Sequence, residues 1–307
     1  MKINMNIDRD TCIYVAQPHF LEELKRELAN AQIIDDLIFA KSCEIPVIFA
    51  LDTWYDPKII SIESIGDAVR KLKSIQPFWY PHPIVSARRT ILIAEQLPQL
   101  KKIQKIIFPV PDLPNIGAFT LIDQKTLLYA TKRDKKIPDG RFDFVEDKVN
   151  PPNRAYLKLW EALAILNRYP KQGDFALDLG ASPGGWTYVL QNLGAKVLAV
   201  DKSPLAPNIA RLRGVEFQEA SAFSLRPQDF SAIDWFVCDV ACYPERLYKW
   251  LLPWIESGKV KQFIVTIKLQ GKTDFKAIAP FQKIPGGRVM HLYHNKHEVT
   301  FFYPFHS

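Results

Sequence analysis

Several features that define other protein classes are scarce or missing in this 307-residue sequence. The four cysteines are Cys12, Cys43, Cys238 and Cys242, and no two of them form a C-x-x-C pair. We therefore expect buried, reduced thiols and no metal site. No apolar run approaches the ~20 residues that cross a bilayer, and residues 1–8 lack the apolar core of a secretory signal. These absences predict a globular, cytoplasmic protein without membrane contact.

The glycine motifs of two common nucleotide-binding folds are also incomplete. Gly180 is followed by Gly184 and Gly185 with Pro183 between them, which does not match the dinucleotide spacing G-x-G-x-x-G. The same turn does not end in Gly-Lys-Ser or Gly-Lys-Thr, as a P-loop would. A pyrophosphate cradle is therefore the weaker interpretation of this turn.

The most informative run that is present is Asp178-Leu-Gly-Ala-Ser-Pro-Gly-Gly-Trp186. It lies between a strand pattern and a helix pattern, where backbone N–H groups surround a small nucleotide-like ligand. A second strand pattern ends at Asp201, about 20 residues further on, where this fold meets ribose hydroxyls. Together these elements predict a Rossmann-type site for a nucleoside without a pyrophosphate, with S-adenosylmethionine as the candidate. The alternative is a turn that only packs the sheet.

Two regions with different patterns follow one another along the chain. Residues 1–140 predict a small α+β domain of short strands and helices, with one strand at Val47–Leu51. Residues 150–307 alternate helix and strand patterns more regularly, and their last strands, at Val289–His294 and Val299–Tyr303, are joined by a short turn. At least one of these two should therefore run antiparallel in an otherwise parallel sheet. The expected fold class is α/β, a Rossmann-like domain preceded by a smaller α+β domain.

Charged residues that end apolar strands are the candidates for chemistry. Asp239 and Lys268 each follow such a run, and a charge there is costly unless it is paired or functional. One interpretation is a structural ion pair at the top of the sheet. The other is a lysine whose pKa is lowered, by partial desolvation and by the second positive charge of Lys158, until it accepts a proton from an alcohol. Taken alone, Lys158 and Glu298 would be ordinary surface residues.

Five separate motifs within residues 150–304 resemble the FtsJ-like 2′-O-ribose RNA methyltransferases and keep that family's motif order. They are Asn153-Arg-Ala-Tyr-Leu-Lys158, the run from Asp178 to Thr187, Cys238-Asp239, Ile267-Lys-Leu269, and Leu292-Tyr-His294 with Glu298-Val-Thr300. The resemblance implies a catalytic tetrad of Lys158, Asp239, Lys268 and Glu298. In it Lys268 would take the ribose 2′-OH proton, Lys158 and Asp239 would tune and position that lysine, and Glu298 would orient it or the substrate.

The same resemblance implies that S-adenosylmethionine is held by the glycine turn and the neighbouring strand ends. The residues carried over as cofactor-binding are Asp178, Gly180, Ala181, Pro183, Gly184, Gly185, Trp186, Asp201, Ser221 and Asp239. Ser221 departs from the family, whose members usually have an acid there in contact with adenine. Another contact, such as a backbone group, would then hold the adenine amino group.

RNA is the expected partner, and the charge distribution is consistent with it. Residues 151–307 hold 19 Lys and Arg against 13 Asp and Glu, whereas residues 1–150 hold 21 against 20. Such an excess is also common on surfaces without a polyanionic partner. The start of the chain, Tyr14–Leu24, resembles a THUMP-like RNA-binding region that is shorter here. An RNA-facing surface, or equally a solvated charged face, is expected from Lys101, Lys102, Lys105, Lys132, Arg133, Lys135 and Lys136 with Phe108, Phe119 and Tyr129.

These observations predict an S-adenosylmethionine-dependent RNA ribose 2′-O-methyltransferase that acts on large-subunit ribosomal RNA. The alternative from another class is a catalytically inactive RNA-binding or ribosome-assembly factor, against which the intact tetrad argues. A third possibility is a methyltransferase for a small molecule or a protein, which would show no salt-dependent RNA affinity. The methylated nucleotide and the oligomeric state stay open.

Overall fold

The computed structural model describes residues 7–8, 10–98 and 105–305. The chain divides into two compact units, residues 1–143 and residues 144–307. Across the described ranges, no helix combines the length and the apolar character that a membrane crossing requires. Lys101 and Lys102, which belong to the predicted RNA-facing surface, lie outside the described residues.

The first unit is an α+β arrangement with two sheets. Its elements are β1 (Thr11–Ala16), α1 (Leu21–Glu27), β2 (Gln32–Ile34), β3 (Leu37–Lys41), β4 (Ala50–Tyr55), β5 (Lys58–Ser61), α2 (Ile65–Ile75), β6 (Trp79–Pro81), α3 (Ala87–Glu95), β7 (Gly117–Leu121), β8 (Thr126–Ala130) and β9 (Lys132–Arg133). The strand orders are β2-β3-β1-β4-β9 and β5-β8-β7-β6. Helix α2 begins after Ser64, whose hydroxyl accepts the Asp67 backbone N–H at 3.1 Å. Its apolar face lies in one core with α3 and the second sheet, around Leu72, Ile93 and Phe119.

The predicted strand at Val47–Leu51 is largely wrong, because β4 begins only at Ala50. The backbone N–H groups of Ile48 and Phe49 donate to the two carboxylate oxygens of Glu27, at 2.7 and 3.0 Å. Donors used in this way cannot join a strand ladder. The apolar run therefore marks burial without marking a strand.

Three members of the predicted RNA-facing surface are buried, so that prediction is wrong for them. Phe119 is fully buried in the core of the first unit, and Tyr129 packs edge-on against Trp79. The Arg133 side chain is only 2% exposed and lies 2.6 Å from Asp52, which is equally buried. The guanidinium neutralises a core carboxylate and cannot reach RNA.

The second unit is built on one seven-stranded sheet. Its elements are α4 (Tyr156–Leu166), β10 (Phe175–Leu179), α5 (Gly185–Asn192), β11 (Lys196–Asp201), α6 (Pro207–Ala210), β12 (Val215–Glu219), the short 3-10 helices Ala222–Ser224 and Pro227–Asp229, β13 (Ile233–Cys238), α7 (Pro244–Glu256), β14 (Val260–Lys268), α8 (Phe275–Gln282), β15 (Arg288–Met290) and β16 (Glu298–Tyr303). The order is β12-β11-β10-β13-β14-β16-β15. The strands from β12 to β14 are parallel, and β16 is antiparallel to both neighbours. The predicted α/β class and the predicted antiparallel strand are confirmed.

The strand order changes direction between β10 and β13, which are neighbours in the sheet. The chain moves outward from β10 to β11 and β12, and then returns to the other side of β10 with β13 and β14. A crevice forms beyond the carboxyl ends of the strands at such a switch point, and ligands of open α/β sheets bind there. This edge is where the candidate site lies.

The predicted strand Val289–His294 ends early, at Met290. The reason is the carboxylate of Glu161 in α4, which accepts the backbone N–H groups of Tyr293 at 2.7 Å and His294 at 2.9 Å. These donors are again taken by a side chain and not by a strand. The segment 291–297 is thereby tied to α4 just before β16 begins.

The expectation of buried thiols holds for two of the four cysteines. Cys12 and Cys238 are buried, whereas Cys43 and Cys242 are half-buried. All four are free thiols. Within the part of the chain that the structure describes, no group of three or more His, Cys, Asp or Glu side chains is arranged to hold a metal ion.

Candidate active site

Four charged side chains from different elements meet at the carboxyl end of the sheet. The Nζ of Lys158 lies 2.6 Å from Oδ2 of Asp239 and 2.9 Å from Oε1 of Glu298. The Nζ of Lys268 lies 2.5 Å from Oδ1 of Asp239 and 2.5 Å from Oε2 of Glu298. Each lysine therefore bridges both carboxylates, and the four groups form a closed ring of ion pairs, here called the tetrad ring. With two ammonium groups and two carboxylates its net charge is zero.

The sheet positions three members of the tetrad ring directly. Asp239 follows β13, and its backbone N–H donates to the Leu179 carbonyl at the end of β10, at 2.9 Å. Lys268 ends β14 and is paired in register with Glu298, which begins β16. Side chains that are directly opposite in an antiparallel pair project from the same face of the sheet. Lys158 comes from α4, where it is the third residue.

Lys268 is the most accessible member of the tetrad ring. Its side chain is 26% exposed, compared with 10% for Lys158, 16% for Asp239 and 10% for Glu298. A ligand that approaches from the crevice therefore meets the Lys268 amine first. The other amine also lies near an aromatic face, with its Nζ 5.7 Å from the centroid of the Trp186 ring.

The charges in the tetrad ring stabilise one another in their ionised forms. Burial by itself would raise the pKa of Asp239, but the neighbouring Lys158 and Lys268 lower it below its ordinary value of 3.8. Burial by itself would lower the pKa of Lys268, but Asp239 and Glu298 raise it above 10.5. The interpretation with a lowered pKa for Lys268 is therefore wrong for the protein without ligands. Two carboxylates contact the Lys268 amine directly, and their effect on its pKa outweighs that of burial.

The glycine turn between β10 and α5 is closely packed at two positions. Gly180 has φ 76° and Gly184 has φ 113°, and residues with a side chain rarely adopt such backbone angles. A Cβ at Gly184 would lie 2.7 Å from Ile209, and one at Gly180 would lie 3.0 Å from Val240. The turn therefore requires glycine at both positions.

The other residues predicted at the turn have structural partners that hold its shape. The Gly180 and Ala181 N–H groups both donate to the Val200 carbonyl, the Pro183 carbonyl accepts the Ala206 N–H, and Gly185 opens α5. Trp186 is buried, and its indole N–H donates to the Ala155 carbonyl at 2.9 Å. That bond connects the turn to the helix that carries Lys158.

Two carboxylates end the strands on either side of the turn. Asp178 is 1% exposed, and its Oδ2 accepts the Thr187 hydroxyl at 2.6 Å. Its other oxygen, Oδ1, is buried without a hydrogen-bond partner among the described residues. Burial raises the pKa of Asp178 to about 7, even though the bond from Thr187 lowers it. Asp201 accepts the backbone N–H groups of Ser182 at 3.0 Å and Ser203 at 2.9 Å, which fixes its position at the rim.

Ser221 lies at the end of the next strand outward and caps a short helix. Its hydroxyl accepts the Phe223 N–H at 3.3 Å at the start of the 3-10 helix Ala222–Ser224. The side chain thus has a local structural role that an acid could also fill. This agrees with the departure from the family pattern without assigning an adenine contact.

Two residues that the sequence analysis does not identify hold parts of the site in place. Thr187 is fully buried and holds the carboxylate of Asp178. Glu161 is 2% exposed and ties the segment before Glu298 to the helix of Lys158. An acid on an apolar helix, three residues after Lys158, is the only sequence signal that points to Glu161.

The comparisons with known proteins agree with the motifs. Residues 151–279 match the FtsJ-like methyltransferase family. The chain is 37% identical over 161 residues to ribosomal RNA large subunit methyltransferase M of Halorhodospira halophila, covering 50% of this chain and 47% of that protein. It is 33% identical over 169 residues to the protein of the same name in Thauera aminoaromatica, covering 50% and 46%.

The chain spans about half the length of these curated relatives. A solved structure, the 1,6-didemethyltoxoflavin-N1-methyltransferase of Burkholderia thailandensis with bound S-adenosylhomocysteine, matches with a TM-score of 0.36 and 16% identity. That match covers 49% of this chain and 78% of the other. The predicted resemblance is confirmed by the sequence matches: residues 151–279 are similar to FtsJ-like methyltransferases.

Proposed function

We propose that this protein is an S-adenosylmethionine-dependent RNA ribose 2′-O-methyltransferase that acts on large-subunit ribosomal RNA. The observation that carries the proposal is the tetrad ring of Lys158, Asp239, Lys268 and Glu298 at the switch point of the sheet. The family match and the names of the curated relatives support it. A ribosomal RNA substrate would also place the protein in the cytoplasm.

The residues at the glycine turn fit S-adenosylmethionine. Gly180 and Gly184 supply the positive φ angles that give the turn its shape. The buried, unpartnered Oδ1 of Asp178 favours a ligand that carries a positive charge or N–H donors. Asp201 is held by two backbone N–H groups and keeps lone pairs for ribose hydroxyls. With the Ser221 hydroxyl used as a cap, a backbone group would hold the adenine.

When bound, S-adenosylmethionine supplies a methyl group on a positively charged sulfur. A ribose 2′-OH is a weak nucleophile, so alignment and removal of its proton are what the protein has to provide. Asp239 and Glu298 hold the amine of Lys268, the more exposed of the two lysines, from two sides. The hydroxyl proton moves to the Nζ of Lys268, which becomes an ammonium paired with both carboxylates.

Lys268 has to be uncharged before it can accept that proton. Its raised pKa means that, without ligands, it is an ammonium at neutral pH. Loss of this proton leaves the tetrad ring with a net charge of −1, because Lys158 alone then faces two carboxylates. A positively charged ligand at the turn compensates this charge and favours the uncharged amine. Lys158 keeps Asp239 and Glu298 in place throughout.

We further propose that the first unit binds RNA as a THUMP-like domain. Lys105, Lys132 and Lys136 are exposed on it and can contact phosphates. The buried Arg133 and the core aromatic residues are not part of this surface.

A catalytically inactive RNA-binding or assembly factor is the second candidate, and one observation favours it. The raised pKa of Lys268 and the complete pairing of the tetrad ring are also what a purely structural ion-pair network would show. The two candidates differ in whether the turn binds S-adenosylmethionine and whether methyl groups reach RNA.

The test uses large-subunit ribosomal RNA transcribed in vitro, which carries no methyl groups, together with S-adenosylmethionine labelled in its methyl group. After alkaline hydrolysis, a 2′-O-methyl group leaves one labelled, uncleaved dinucleotide. We expect label in that dinucleotide. No calorimetric binding of S-adenosylmethionine, together with no label on RNA, would favour the inactive factor. Label on the bases alone would contradict ribose methylation.

A further inference from the structure

A cavity of about 630 Å³ in the second unit is not used by the proposed chemistry. It lies beside the start of α7 and the 3-10 helix Ala222–Ser224. Its lining consists of Phe223, Tyr243, Glu245, Arg246, Lys249 and Trp250. Its volume falls within the range of small-molecule sites, so it is large enough for a nucleotide.

The lining combines aromatic rings with cationic groups. The rings of Phe223 and Trp250 meet edge to face with centroids 5.1 Å apart. The Arg246 guanidinium lies 4.1 Å from the centroid of the Phe223 ring. Tyr243 is different, because it is 63% exposed and leaves its ring open to a ligand. An open aromatic ring beside cationic groups is the composition with which proteins stack single-stranded bases and contact their phosphates.

The two cations of the cavity are available to a ligand. Neither Arg246 nor Lys249 forms an ion pair with any carboxylate in the described parts of the chain. A second cavity, at the amino ends of the parallel strands, is lined by Asp174 and Asp234 together with Arg168, Lys171 and Lys261. There Lys261 is paired with Asp234 at 2.7 Å, and Asp174 accepts the indole N–H of Trp235 at 2.9 Å. The cavity beside α7 lies instead at the carboxyl ends of the strands, on the side of the tetrad ring.

The cavity also lies close to the tetrad ring. Tyr243 follows Asp239 by four residues, which span at most about 14 Å of extended chain. Cys242 lies between them. Burial raises the pKa of its thiol, whereas the positive charges of Arg246 and Lys268 lower it. Because Asp239 and Tyr243 are only four residues apart, an RNA strand of a few nucleotides can contact the cavity and the tetrad ring together.

We propose that this cavity binds a base of the substrate RNA close to the methylated nucleotide. Tyr243 stacks on that base, while Arg246 and Lys249 contact the adjoining phosphates. This inference rests on the proposed function and adds to it the site that holds the strand in place. It also predicts a sequence-tolerant contact, because every base has an aromatic face.

The test measures binding of a fluorescein-labelled, mixed-sequence, single-stranded 12-nucleotide RNA by fluorescence anisotropy. Replacing Tyr243 by alanine should weaken binding about 5- to 150-fold, the range that loss of one base–aromatic stack gives. Tyr243→Phe keeps the ring and should bind within about twofold of the wild type. Lys249→Ala should lower the slope of log affinity against log salt by about 0.7. Lys171→Ala removes one exposed positive charge at the amino ends of the strands. It should change neither the RNA affinity nor its salt dependence.

Calorimetric binding of S-adenosylmethionine and the thermal unfolding midpoint should be the same in Tyr243→Ala as in the wild type, which shows that the variant is folded. If the wild type binds RNA and Tyr243→Ala binds it equally well, the stacking site is wrong while the proposed function stands. A wild type that binds S-adenosylmethionine but no RNA would overturn both.

Discussion

Lys268 and Glu298 are directly opposite each other in the antiparallel pair of β14 and β16, and their Nζ and Oε2 atoms lie 2.5 Å apart. The distance between the amine and one of its carboxylates is therefore set by strand register. A slip of one residue would turn one of the two side chains to the other face of the sheet. The antiparallel strand β16 is thus a part of the site.

The stability of the protein should decrease at both ends of the pH range because of the tetrad ring. The pKa of Asp239 lies below its ordinary 3.8, so its stabilising contribution is present above 3.8 and is lost as the pH falls through the lower folded-state pKa. The pKa of Lys268 lies above 10.5, so its contribution is complete below 10.5 and is lost as the pH rises through the higher folded-state pKa. Scanning calorimetry across this range should show both decreases.

The matched variants for this prediction are Asp239→Asn and Glu256→Gln. The first removes the carboxylate with the lowered pKa and should reduce the loss of stability at acidic pH. The second changes an exposed acid at the end of α7 and should leave the curve of the wild type unchanged. An equal loss of stability at acidic pH in the wild type and in Asp239→Asn would contradict the ion pairs of Asp239 with Lys158 and Lys268.

Asp178→Asn should stabilise the fold in a pH-dependent way while weakening cofactor binding. Because burial raises the pKa of Asp178 from 3.8 to about 7, the folded state holds its proton more tightly than the unfolded state. Stability therefore falls as the pH rises from 3.8 through 7, and asparagine removes this loss. Unfolding midpoints should be higher for the variant at pH 8, with a smaller difference at pH 5. A difference that does not change with pH would count against a buried, ionising carboxylate.

Glu161→Gln should reduce turnover without a change in the KM for S-adenosylmethionine. The carboxylate accepts two backbone N–H groups just before Glu298, and glutamine can replace only one of the two acceptor oxygens. Loss of one charge-assisted bond costs about 1.5–3 kcal/mol and loosens the segment that carries Glu298. Steady-state kinetics checks this prediction. A raised KM with unchanged kcat would show that Glu161 acts on the cofactor side instead.

Arg133→Met should destabilise the first unit far more than Lys132→Met. Arg133 and Asp52 are both buried, and removing the cation leaves an uncompensated core carboxylate at a cost of about 3–5 kcal/mol. Lys132 is the neighbouring residue, but its side chain is 73% exposed and pairs only with an exposed acid. Urea denaturation of both variants separates the two cases. Equal denaturation midpoints would show that the buried pair is not needed.

Much of the second unit could be predicted because its signals are local. The strands β10 and β12 begin and end where the sequence pattern predicts. The carboxyl ends of parallel strands meet at one edge, so residues that end those strands, such as Asp201 and Lys268, could be placed together from the sequence alone.

The rest depends on contacts between distant segments. Glu27 and Glu161 take backbone N–H groups from segments 21 and more than 130 residues away, and this shortens two predicted strands. No local pattern shows such a contact. The direction of the Lys268 pKa likewise depends on distances to two carboxylates, and the burial of Arg133 depends on Asp52, which lies 81 residues away in the sequence.

If the Lys268 amine accepts the ribose proton, as we propose, Lys268→Met should lose methyl transfer. Methionine keeps an unbranched, mainly apolar side chain without the amine, and Lys272→Met serves as the control at an exposed lysine four residues further on. With label transfer to in-vitro-transcribed large-subunit ribosomal RNA as the readout, we predict a decrease of at least about 100-fold for Lys268→Met. Calorimetric affinity for S-adenosylmethionine should stay within a few fold of the wild type. Transfer by Lys268→Met at the wild-type rate would show that Lys268 is not the base.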